Sequence, residues 1–134
     1  APPARPQQGL EQALAQVERS NDALEAAALL SLALRQYLAA EWSLRTAGEA
    51  ATLRELRAQL LALPGAERAS AQAILPTLSA LEDWRWRPGA YQRELVDEPL
   101  ATARAWAAGI AAARAAEAQA QAAADQPAQS APRA

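Results

Sequence analysis

Residues 81–100, LEDWRWRPGAYQRELVDEPL, hold two of the four tryptophans and one of the two tyrosines of the chain, spaced among arginines and broken by Pro88-Gly89. Tryptophan, tyrosine and arginine are enriched at protein-binding hot spots. The same side chains could stack on nucleobases. Charge separates the two readings. Glu82, Asp83 and Glu94 offset Arg85, Arg87 and Arg93, so residues 82–94 are neutral, and the whole chain carries a net charge of −2. Phosphate contacts need a net basic surface. A protein partner, or a second copy of the chain, is therefore expected, and nucleic acid is not.

Two tryptophans two residues apart on a helix point about 200° apart. Trp84 is in register with Leu78 and Leu81 and reads as a core plug. Trp86 then faces the rim, and with Arg87 and Tyr91 it forms the expected partner-contact patch beside the Pro88-Gly89 turn. A second aromatic set, Tyr37, Trp42 and Trp106, is spread along the chain and offers an alternative: an apolar pocket between helices that binds a small ligand.

Enzyme chemistry has little to work with. Catalysis at neutral pH usually recruits histidine, cysteine or lysine, and the sequence has none of them. The adjacent pairs Glu82-Asp83 and Asp97-Glu98 would point in different directions on a helix, which suits capping and solvated charge better than acid/base coupling. Transition metals want histidine or cysteine. No phosphate-binding glycine loop or EF-hand pattern is present. No cofactor and no metal are expected.

The elements that must position these residues read as helical. Alanine fills 40 of the 134 positions, and the large aliphatics number only 23 (19 Leu, two Val, two Ile), so the expected core is thin. Leu10, Leu14 and Val17 begin a helical stripe that continues through Leu24, Leu30, Leu34, Tyr37, Leu38 and Leu44. Ser20-Asn21-Asp22 can cap a new helix, or one helix can run through it to Thr46. Leu53, Leu56, Leu60 and Leu63 form a clean seam, and Ile74, Leu78, Leu81 and Trp84 another, with a kink or a fresh first turn at Pro76. The last stripe is Leu95, Ala103, Trp106, Ile110 and Ala113, after which only alanine is left to bury and an exposed or frayed arm is expected.

The expected fold is all-α, an antiparallel up-down bundle of three to four helices over about 8–46, 49–63, 66–86 and 90–122, with breaks at Gly48, Pro64-Gly65 and Pro88-Gly89. Residues 1–8 and 125–134 read as disordered tails around a helical domain at 9–124. The most apolar run, Ala26 to Leu34, is too short for the roughly 20 residues of a membrane span. The Pro-rich start, APPARPQQG, suits either an exported mature chain or a trimmed cytoplasmic one. The expected function is a non-enzymatic interaction module, an accessory subunit of a larger bacterial assembly in the periplasm.

The angular argument makes a prediction. Trp84→Ala should lower stability by about 3–5 kcal/mol, as for a buried aromatic. Trp86→Ala should leave it nearly unchanged. Thermal melts of both variants compare them, and equal losses would show that both rings are core.

Overall fold

The computed structural model describes residues 5–44, 52–84 and 92–125. It is all-α, with no strand among the described residues. Helices α1 (Pro6–Arg19), α2 (Ala23–Glu41), α3 (Leu53–Leu61), α4 (Gly65–Gln72), α5 (Leu75–Asp83) and α6 (Asp97–Ala124) follow in order, and a 3-10 turn, Arg93–Val96, leads into α6. These segments are shorter and more numerous than the four spans expected. The breaks at Gly48 and Pro88-Gly89 lie outside the described residues.

Local capping chemistry explains the extra breaks. The single helix allowed at 8–46 is two helices, because Ser20 and Asp22 are extended and the Asp22 carboxylate accepts from the Glu25 amide at 2.8 Å. A side-chain cap satisfies an amide that the first turn of a helix leaves without an intrahelical partner. Thr52 caps α3 in the same way, accepting from Glu55 N at 3.1 Å. The expected 66–86 helix divides at Ala73 and Ile74, and Pro76 sits in the first turn of α5, where its missing N–H costs nothing. Pro6 opens α1 likewise, inside the stretch read from sequence as a tail. Past α2, Ser43 adopts a left-handed φ of 50°, and the Leu44 amide reaches back to the Ala39 carbonyl at 2.9 Å, a Schellman-type stop.

The core is built around α2. Ten of its nineteen residues are buried, among them Leu30, Leu34, Tyr37 and Leu38, because α1, α5 and the 3-10 turn all pack on it. α1 lies antiparallel to α2: Gln7, near its start, donates to the Tyr37 hydroxyl at 2.8 Å. By length and composition alone α2 could also cross a bilayer. Half of that stretch is buried against the other helices.

Three residues assigned to stripes prove exposed. Leu24 and Leu95 are 48% and 51% exposed, and Ala113 is exposed too. Small residues account for the first error: Ala23, Ala26 and Ala27 carry the inner face at the start of α2, which turns the larger Leu24 outward. The 3-10 turn accounts for the second. It buries Val96 and continues the inward stripe as Leu100, Ala103, Ala107 and Ile110, so Ala103 and Ile110 face inward as read, while Val96 and Ala107 take the places read for Leu95 and Trp106. Trp106 is partly buried beside that stripe.

Two leucines of α2 provide the comparison. Leu34→Ala should lower unfolding free energy by about 3 kcal/mol, since a fully buried leucine leaves a cavity. Leu24→Ala should change it by less than about 1 kcal/mol. Urea unfolding of the two variants measures the difference, and equal losses would put Leu24 in the core after all.

Candidate functional site

Two regions gather side chains beyond what the core needs. The first lies where the end of α2 meets α4 and the middle of α6. Tyr37, Trp42 and Trp106, far apart in sequence, meet there. The Tyr37 ring stands edge-on to Trp106 at 5.3 Å and to Trp42 at 6.3 Å, and the two indoles are 6.4 Å apart. These are ordinary aromatic packing distances. The Trp106 indole N–H donates to the Ser70 carbonyl at 2.8 Å, and the Trp42 indole N–H donates to the Glu67 carboxylate.

Arg114 ties this cluster together. Its guanidinium donates to both oxygens of Glu67 at 2.8 and 2.9 Å, to Glu41 at 2.9 Å and to Glu117 at 3.3 Å. The two-pronged contact with Glu67 is the geometry that a planar guanidinium supplies and an ammonium does not. The Arg114 and Trp42 hydrogen bonds hold the Glu67 carboxyl at about 2, well below the usual carboxylate range. Burial, reinforced by the Glu41 carboxylate, pushes the Tyr37 hydroxyl above the ordinary tyrosine range, so it stays protonated near neutral pH. Glu41 and Glu67 are thus ion-pair partners held by one cation. That arrangement clamps α2, α4 and α6 and keeps the Glu67 carboxylate ionised at neutral pH.

Each ring lines a depression of its own. Tyr37 lines a depression of about 200 Å³ against α1, Trp42 one of about 130 Å³ beside Glu67 and Arg114, and Trp106 one of about 220 Å³ beside Gly109.

The second region surrounds Trp84, at the opposite end of α2. Trp84 is only partly buried and packs on the core from the end of α5. It forms one wall shared by two shallow depressions, one with Leu24 and Ala28 of α2, the other with Leu95 and Pro99 at the start of α6. The ring therefore bridges core and surface, and the loss expected for a fully buried tryptophan is too large: about 2 kcal/mol fits its position better. Trp86, Arg87 and Tyr91, the partner-contact residues read from sequence, lie outside the described residues.

Sequence reasoning missed Arg114 and Glu67. A signal existed: Arg114 is the sole charge between Arg104 and Glu117 in a run of apolar residues, and it is the only residue of 111–125 that is not exposed. Glu41 closes the clamp from the end of α2. Its partner in the fold is Arg114, 73 residues away.

The clamp sets a pH dependence. A carboxylate whose folded pKa lies below its unfolded value of 4.5 stabilises the fold fully above that value, and the contribution is lost as pH falls towards about 2. Urea melts between pH 6 and pH 2 should therefore show wild-type stability falling more steeply than that of Glu67→Gln. At pH 7, Arg114→Ala should cost roughly 1–2 kcal/mol, a modest figure because the guanidinium is a third exposed. Parallel pH profiles for wild type and Glu67→Gln would show that the pair contributes nothing. Comparison with protein families, with curated proteins and with solved structures finds no match, so the functional reading rests on this geometry.

Proposed function

We propose that the chain is a non-enzymatic interaction module that docks a protein partner on the surface around Trp84. One observation carries this reading: two half-exposed leucines, Leu24 and Leu95, flank a partly buried tryptophan and extend its apolar surface into solvent. Apolar side chains clustered at the surface of a folded domain mark contact sites more often than isolated ones do. The aromatic-arginine run Trp86, Arg87 and Tyr91 begins two residues further along the chain. The supporting body is read as an up-down bundle centred on the α1–α2 hairpin and α6. Service as an accessory subunit of a periplasmic assembly is part of the proposal. Fractionation of cells that make the chain from its own gene tests the location.

A second reading has the meeting of Tyr37, Trp42 and Trp106 in its favour. A small apolar ligand would have to part the rings and break the Trp42–Glu67 or Trp106–Ser70 hydrogen bond. It would then shift tryptophan fluorescence without any protein partner.

Immobilised wild-type chain and its Leu95→Asp variant separate these. Leu95 is exposed, so the variant should fold, and its charge should abolish retention of a partner that the wild type holds. Equal retention by both would move the contact away from Trp84. Loss of partner with no variant dependence, together with a fluorescence shift on adding small apolar ligands, would favour the ring cluster.

A further inference from the structure

Helix α4 is fastened differently from the rest of the fold. Of its eight residues only Ala71 is buried, while Gly65, Ala66, Arg68, Ala69 and Ser70 are exposed. Its backbone packs closely on α3 but not on α2 or α6. Hydrogen bonds tie it to those two helices. Arg114 donates to both Glu67 oxygens at 2.8 and 2.9 Å, the Trp106 indole N–H to the Ser70 carbonyl at 2.8 Å, and the Trp42 indole N–H to Glu67. Depressions of about 130 and 220 Å³ lie along this seam, each with walls from both α4 and α6. One buried alanine methyl removes little apolar surface from water. The bonds of Glu67 are charge-assisted, so they are the strong part of the attachment, and they are lost together when the carboxylate moves.

We infer that α4 is a latched strap, which lifts off α6 as a unit, with Glu67 as the latch, while the α1–α2 core stays folded. Folded domains open in such partial units where few apolar contacts are buried. The helix is already interrupted on both sides, at 62–64 and at Ala73-Ile74, so the backbone can bend there without breaking a continuous helix. Opening joins the two depressions and bares Trp42, Trp106 and Ile110. The inference goes beyond the docking reading, which concerns the other end of α2.

Hydrogen exchange of the full chain, followed amide by amide by NMR in urea below the unfolding transition, tests it. The Arg68 amide, which donates to the Pro64 carbonyl at 2.7 Å, and the α4 amides after it are the probes. They should be protected, yet about tenfold or more less so than the amides of residues 30–38, and their exchange should depend little on urea. Glu67→Gln should speed α4 exchange roughly tenfold, the loss expected for a charge-assisted pair. The Glu67 bonds are also broken on global unfolding, so residues 30–38 speed up with it. Val17→Ala separates the two openings. Val17 is fully buried beside the start of α2, and its contacts survive the lifting of α4. That variant should speed exchange at 30–38 and leave α4 unchanged.

Equal urea dependence in α4 and at 30–38, or acceleration of both by Val17→Ala, would mean that α4 leaves only with the core and would overturn the strap. Unchanged α4 exchange in Glu67→Gln would remove the latch and the inference with it. Exchange of α4 at the rate of an unfolded chain would show that nothing holds it down, with the same result. Where Val17→Ala is too unstable to study, the urea dependence of the wild type decides alone.

Discussion

Burial of ten of the nineteen residues of α2 is the constraint on which the other helices depend. A chain with 40 alanines has few large side chains to spend on a core, and seven of its buried leucines and valines lie in α1, α2 and the turn before α6. Surrounding one helix concentrates that limited apolar surface. Leu30, Leu34 and Leu38 reach zero exposure because α1 covers one side and α5 another. Each contributes on the order of 2 kcal/mol by leaving water. Alanine does the complementary work. Ala26, Ala27 and Ala33 on α2, with Ala103 and Ala107 on α6, are buried as well. A methyl group adds little transfer free energy but lets helices approach closely enough for the leucines to touch.

Arginine supplies the long-range fastening that such a core lacks. Arg35 enters the core from α2 and pairs with Glu82 of α5, since a buried charge without a partner would be strongly destabilising. Arg93 caps the open end of α1, meeting the carbonyls of Val17, Glu18 and Ser20 where the helix dipole is negative. Arg114 joins α2 and α4 to α6 beyond the last buried residue, Ile110. Arginine replaces lysine throughout the sequence. Whatever set that composition, these three positions use what a guanidinium can do: several donors fixed in one plane.

The all-α class was legible because the apolar spacing is helical wherever it is strong: Leu10, Leu14 and Val17, or Leu56 and Leu60, sit on the expected faces. Legibility failed where alanine carried the inner face. Ala103 and Ile110 were placed on the inner face of α6 and are buried there, but Ala107 has no contrast with the alanines around it and Leu95 and Trp106 were read in place of Val96 and Ala107. Leu24 misled in the same way at the start of α2. Helix ends were partly visible, since Asp22 and Thr52 are recognisable caps, yet the division at Ala73 and Ile74 had only Pro76 to announce it. The aromatic set Tyr37, Trp42 and Trp106 was chosen from sequence and does converge. Its fastening by Arg114 and Glu67 was invisible, because contacts spanning 47 residues leave no local pattern.

The two ends of α2 are about 26 Å apart, taking 1.5 Å per residue from Leu24 to Glu41, and they are finished in opposite ways. At the Glu41 end, indole N–H groups, carboxylates and the Arg114 guanidinium satisfy one another, so a newcomer would have to displace bonds already made. At the Leu24 end, Leu24 and Leu95 leave about half of their surface in water. Covering Leu24 and Leu95 would gain transfer free energy. The polar end is a structural clamp, whereas the apolar end keeps leucine surface in water. That asymmetry follows from where the large side chains fall along α2, α5 and α6, and it does not depend on the identity of the partner.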